Sequence, residues 1–234
     1  MRLPEAEEVS EKYDTFPIKQ NLTTLSTLRE LTKRSVRPIN IGTAVLPKPL
    51  FQEENLGNTS TTTSSSSSSC DQNQKNLYEK TLSSEFNSMV IEHHLKWSPL
   101  CETLPGPHPE FQPKYNQLGR YDFYHVDRMV DYAKSHNMTI KGHVLIWHVT
   151  SPTCLNQISD PNILRREMKR HINTVMGRYK DSIHMWDVVN ESLAPDGSFA
   201  NNVFYRVLGE SYIEDAFRMV RSTLSLFFLH FIVI

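Results

Sequence analysis

Asn190 and Glu191 close the run HMWDVVNE at residues 184–191, so an apolar, strand-like stretch delivers two polar side chains to its tip. Two earlier runs do the same: SMVIEHHLK at 88–96 ends in Glu92, His93, His94 and Lys96, and TIKGHVLIWH at 139–148 carries His143 and His148. The tryptophans Trp97, Trp147 and Trp186 lie within or beside these tips. A mouth lined by indoles, carboxylates, an amide and imidazoles suits a sugar, because aromatic faces cover the C–H surface of the ring while polar groups bind its hydroxyls. Breaking a glycosidic bond there needs a carboxylic acid to protonate the leaving oxygen and a second carboxylate as nucleophile or base. Glu191 suits the acid, with an apolar strand and Trp186 before it, and Asn190 suits a ring hydroxyl.

Those tips have to be held side by side, and the periodicity of the chain supplies a way. Helical patterns are expected over Thr23 to Lys33, Gln74 to Ser84, Tyr121 to His136, Pro161 to Tyr179 and Val203 to Val220; Asp160 is a good N-cap, with Pro161 at the first helical position. Apolar runs at Ile39 to Leu46, Phe86 to Ile91, Thr139 to Ile146 and Ile183 to Val189 read as strands. Strand and helix alternate, which predicts parallel βα units with both faces of the sheet covered. In such folds the chemistry sits at the carboxyl ends of the strands, so the tips should converge on one face. His93 and His94, read as neighbours on a strand, would point to opposite faces, leaving one of them structural.

The 234 residues are 38% apolar and carry 25 Lys and Arg against 26 Asp and Glu, enough for one sizeable core and no global field for nucleic acid or an anionic membrane. Cys70, Cys101 and Cys154 match neither a zinc site nor a disulfide framework. The N-terminus MRLPEAEEVSEKYDTF has acids where a signal peptide needs a basic start and an apolar core. Sequons stand at Asn21, Asn58, Asn137 and Asn190. The Ser/Thr tract at 59–69 reads as a flexible insertion inside one domain, since residues 1–57 hold too little apolar sequence for a core of their own. The apolar terminus LSLFFLHFIVI falls short of the roughly 20 residues of a membrane span and reads as a strand. Glu102, Glu110 and the acids of the first twelve residues read as solvated surface.

WDVVNE at 186–191, GHVLIWH at 142–148 and FNSMVIEHHLKW at 86–97 resemble, in that order, the fourth, third and second strand motifs of glycoside hydrolase family 10, the retaining endo-1,4-β-xylanases. The likeness extends more weakly from LRELTKRSVRPINIGTAV at 28–45 to the helix ending near Arg221. It implies an α/β fold of the (β/α)8 TIM-barrel type, here about the first four βα units. Residues 1–22 would be an N-terminal extension, 23–221 the partial barrel with a disordered Ser/Thr-rich insertion at 57–72, and 222–234 a divergent apolar tail. It further implies Glu191 as general acid/base, Asn190 on the sugar 2-hydroxyl, His143, Trp147 and His148 around the sugar next to the scissile bond, and Glu92 and Lys96 on a more distal sugar. His93 departs from the asparagine usual in the family. No cofactor and no metal are implied; the partner would be xylan or a xylo-oligosaccharide, and relatives are usually secreted.

In the family the nucleophile is a glutamate at the end of the seventh strand, and the resemblance fades from about Ser222 without supplying one. The expectation is therefore a truncated product with little or no xylanase activity, prone to self-association through open sheet edges. Competing readings are a carbohydrate-binding or degenerate homologue that keeps Glu92, Lys96, His143 and Asn190, and a metal-dependent hydrolase using His93, His143, His148 and Glu191. Trp147 and Trp97 are the indoles expected to wall the sugar site.

Overall fold

A computed structural model describes residues 26–51, 69–101, 121–223 and 230–233, with the side chains of 69–72 and 230–233 excepted. The start of the helix expected from Thr23, the Ser/Thr tract up to Ser68, the sequons at Asn21 and Asn58, and the acids of the first twelve residues, Glu102 and Glu110 lie outside the described residues.

Five strands, β1 (Gly42–Val45), β2 (Ser88–Ile91), β3 (Thr139–Gly142), β4 (Met185–Val189) and β5 (His230–Val233), form one sheet in chain order. Every neighbouring pair is parallel. A parallel step obliges the chain to cross back over the sheet, and helices make each crossing. The crossings are α2 (Pro47–Phe51) with α3 (Ser69–Glu85), α4 (Trp97–Cys101) with α5 (Tyr124–Ser135), α6 (Pro161–Tyr179), and α7 (Val203–Leu208) with α8 (Ser211–Thr223); α1 (Leu28–Lys33) precedes β1. The apolar terminus does supply a strand, β5, beyond the four units expected. None of the described helices is long and apolar enough to cross a membrane.

Local chemistry sets the helix ends. Thr27 and Glu30 form a reciprocal capping box on α1. Asp160 accepts from the Asn162 N–H at the start of α6, directly before Pro161, as its sequence position predicts. The single helix expected over Val203 to Val220 is broken: Gly209 takes φ 67°, ending α7, and the chain restarts as α8. A left-handed residue after a helix is where glycine costs least, so Gly209 could have signalled the break.

α6 buries Leu164, Met168, Ile172, Val175 and Met176, a face at three- and four-residue spacing. These join Met89, Ile91, Leu145, Ile146, Val188 and Val189 from the sheet region in one apolar core. Asp127 of α5 ties the two outer helices together, accepting from Arg178 Nε at 2.9 Å and Tyr179 Oη at 2.8 Å.

The strand expected to run to Ile146 ends at Gly142, yet pairing with β4 continues: the Leu145 and Ile146 N–H groups donate to the Asp187 and Val188 carbonyls at 3.1 and 3.0 Å. Gly142 pairs with Trp186 and Ile146 with Val189, so this side takes four steps where β4 takes three. The extra residue is a bulge immediately before the functional tip, the kind of irregularity that re-aims side chains at a sheet's end. The cis His143–Val144 bond lies inside it.

Candidate active site

The tips of β2, β3 and β4 meet around the indole of Trp147. Its Nε1 donates to Glu191 Oε2 at 2.8 Å, the Lys96 ammonium sits 4.8 Å from its ring centroid, and the His143 ring lies 5.9 Å away. Three side chains from three crossings are thus joined through one aromatic ring. Burial pushes the Lys96 ammonium below its usual value, while the carboxylates of Glu92 and Glu191 act in the opposite direction. Lys96 thus feels both carboxylates, Glu92 at the tip of its own strand and Glu191 at the tip of β4.

The backbone explains how Glu191 reaches it. The Asn190 N–H bonds the Ile146 carbonyl at 3.0 Å, extending the ladder by one residue, and Glu191 then takes φ 51°. A glutamate in the left-handed region is uncommon, and such residues gather where a site dictates the side-chain direction. Glu191 is exposed, whereas Asn190 is buried with its side-chain amide making no hydrogen bond among the described residues. A short turn with an antiparallel bridge between Leu193 and Phe199 follows and carries the chain to α7.

Beneath His143 lies a carboxylate the sequence reading did not single out. Asp187 is 1% exposed; its Oδ2 is 2.9 Å from His143 Nδ1 and its Oδ1 3.0 Å from Lys141 Nζ. The Asp187 contact turns His143 Nδ1 inward and leaves Nε2 as the ring nitrogen available to a ligand. A charged residue inside an otherwise apolar strand was the available signal: with period two, Asp187 shares a face with Glu191, and Lys141 shares one with His143.

Two sequence expectations change here. His93 and His94 lie in a turn after β2, closed by the Lys96 N–H on the His93 carbonyl at 3.0 Å, so strand alternation does not separate them. His93 is exposed, and burial with the Lys96 charge pushes its imidazole down, offset in part by Glu92. His94 packs inward against His125 of α5, ring centroids 4.7 Å apart, and is the structural one of the pair. Trp97 is no wall: it is 2% exposed and stacks flat on His171 of α6, centroids 4.2 Å apart. Trp186 is likewise core; its Nε1 donates to the Ile183 carbonyl at 3.1 Å and its ring covers Gly142, so Trp147 and not Trp186 is the indole that meets Glu191. His148 starts the 3-10 turn His148–Thr150, half-buried, with no side-chain hydrogen bond among the described residues.

Among the described residues no three His, Cys, Asp or Glu side chains gather as a metal site. The set His93, His143, His148 and Glu191 that a metal-dependent hydrolase would need is spread over three tips, and His143 turns Nδ1 to Asp187.

Residues 52–229 match the model of glycosyl hydrolase family 10. The chain belongs to that family. It is 36% identical over 140 residues to endo-1,4-beta-xylanase 3 of Hypocrea jecorina, covering 60% of this chain and 39% of that protein. Against endo-1,4-beta-xylanase 2 of Claviceps purpurea the identity is 43% over 116 residues, covering 50% and 36%. Among solved structures it is similar to native xylanase 10B of Thermotoga maritima, with TM-score 0.64, 26% identity, and 84% of this chain over 50% of that one. Xylanase 10B of Thermotoga petrophila RKU-1 in complex with xylobiose gives TM-score 0.64 and 26% identity, with 87% and 51% covered. The family 10 chain thus spans about half the length of these solved structures and less of the curated relatives it matches. Its parallel sheet with helical crossings is a partial (β/α)8 barrel, and the mouth around Trp147 lies at the carboxyl ends of the strands, where barrels of this type keep their chemistry.

Proposed function

We propose that this chain carries the acid/base half of a retaining glycosidase site that acts on internal β-1,4-xylosidic bonds of xylan. The hydrogen bond from Trp147 Nε1 to Glu191 Oε2 carries the reading. An indole N–H only donates, so Oε2 is held as an acceptor and the transferable proton belongs on Oε1. Glu191 gives that proton to the leaving glycosidic oxygen and later takes one from the incoming water. The nearby Lys96 ammonium favours the carboxylate that remains after the first transfer. Asn190 binds the 2-hydroxyl of the sugar at the cleaved bond, with His143, Trp147 and His148 around that ring. Glu92 and Lys96 bind the next sugar outward.

A retaining mechanism also needs a second carboxylate about 5 to 5.5 Å from the first. Asp187 is buried and engaged by Lys141 and His143. Glu92 follows a strand two positions from β4 in the sheet, about 10 Å at the usual parallel spacing. Neither fits the role. The 234-residue chain is accordingly expected to bind xylo-oligosaccharides and to turn them over poorly or not at all. Calorimetry with xylotriose and a reducing-sugar assay on xylan test this together. Binding that Glu92→Ala or Lys96→Ala weakens about tenfold or more, the ~1.4 kcal/mol expected of a charged hydrogen bond, supports the site. Robust turnover that Glu191→Gln abolishes would show a complete site, and absence of any xylotriose binding would remove the sugar reading.

A further inference from the structure

We propose that Asn137 is an N-glycan acceptor, displayed at the end of the sheet opposite the sugar mouth. Of the two sequons within the described residues, Asn137-Met138-Thr139 and Asn190-Glu191-Ser192, the structure exposes one and buries the other. Asn137 and Thr139 are both exposed, while Asn190 and Ser192 are 6% and 5% exposed. Asn137 takes φ 51°, a left-handed turn conformation that asparagine tolerates well, between α5 and β3. The turn is pinned through its backbone: Arg29 Nη2 donates to the carbonyls of His136 and Asn137 at 2.6 and 3.0 Å. Its carbonyl is thereby occupied, and the Asn137 side-chain amide makes no hydrogen bond among the described residues. A glycan on Nδ2 would break no contact of the fold.

The position also separates the glycan from the chemistry. Asn137 precedes β3 and His143 follows it, six residues on, which in extended chain is about 20 Å. A bulky, solubilising group there leaves the mouth around Trp147 open. On Asn190 the same group would fill the mouth and displace a buried side chain.

The co-reactant is an oligosaccharide on a lipid-linked diphosphate. Asn137 Nδ2 forms a bond to the sugar C1, the bond from C1 to the diphosphate oxygen breaks, the diphosphate leaves on its lipid, and the amide loses one proton. No oxidation or reduction is involved.

The test passes the full 234-residue chain through the secretory pathway of a eukaryotic cell behind a cleavable leader and maps its glycopeptides by mass, in the secreted and retained fractions alike. The expected result is a glycan on the Asn137 peptide, lost in Asn137→Gln and in Thr139→Ala and kept in Thr139→Ser, with the Asn190 peptide bare in the folded secreted protein. The serine variant separates loss of the acceptor signal from loss of folding. An unmodified Asn137 peptide in both fractions, or folded secreted protein glycosylated at Asn190, overturns the proposal. Occupancy is read by mass alone, so the outcome is independent of whether the chain binds xylan.

Discussion

Asp187 shows how a residue can organise a site without facing its ligand. It forms an ion pair with a lysine and a hydrogen bond with a histidine, whose side chains are 25% and 22% exposed, while its own is 1% exposed. Removing one partner of a buried ion pair costs about 3 to 5 kcal/mol, and the partial exposure of Lys141 and His143 lowers that to about 2 to 4 for Asp187→Ala. Urea denaturation should show the unfolding free energy falling by that amount, and the variant's xylotriose affinity should fall as well, because His143 loses the contact that fixes its ring. A variant as stable as the parent would mean the pair is not formed in solution. That the strand tips converge was legible in the sequence at this scale, since strand-end polar residues declare themselves against apolar runs. Trp147 was placed correctly beside its strand tip, but its bond to Glu191 depends on a bulge and a left-handed Glu191, and neither leaves a mark in the hydrophobic pattern. Trp97 misled because a tryptophan beside a strand tip looks the same in sequence whether it faces the mouth or the helix layer.

Between elements, contact between neighbouring layers decides what is tolerated. Gly142 ends β3 under the Trp186 ring, and a Cβ there would lie 2.2 Å from the indole. A buried ring cannot move that far without disturbing the core, so Gly142→Ala should destabilise by about 1 to 3 kcal/mol or more, visible as a lower midpoint together with a shifted Trp fluorescence. The helix layer adds a pH dependence. His171 of α6, flat against Trp97 of α4 and 3.2 Å from the Tyr121 hydroxyl, is pushed down to about 3 by burial. His94 is pushed down to about 4 by burial and by His125 and His93. Unfolded histidines titrate near about 6.5, so below that pH the unfolded chain takes up protons that the folded chain refuses. Stability is fully present above about 6.5 and drains away as pH falls toward about 4. Urea midpoints at about pH 7.5 and about pH 5 should differ in that direction, and His171→Phe and His94→Phe should each reduce the difference; equal midpoints in the parent would refute both burials. The order and type of these elements were readable from periodicity. Their ends were not, because Gly209 and the bulge after Gly142 are set by backbone angles and not by apolar spacing.

At the scale of the whole molecule, the sheet is ordered β1 to β5, so among the described residues β1 and β5 each have a neighbour on one side alone. A parallel strand with an open edge presents a row of N–H and C=O groups that another chain can pair with, and such edges are where sheets associate. Strand β5, of sequence HFIV, is strongly β-prone and free of glycine and proline, the composition that favours such pairing. The expected outcome is reversible, concentration-dependent association of the purified chain, measured by sedimentation velocity over a hundredfold range. Ile232→Lys places a charge in the middle of β5, and charged residues on an edge strand oppose pairing, so it should return the chain toward the monomer. Ile232→Val, which keeps the apolar character, should not. If the parent stays monomeric throughout that range, the edges are covered.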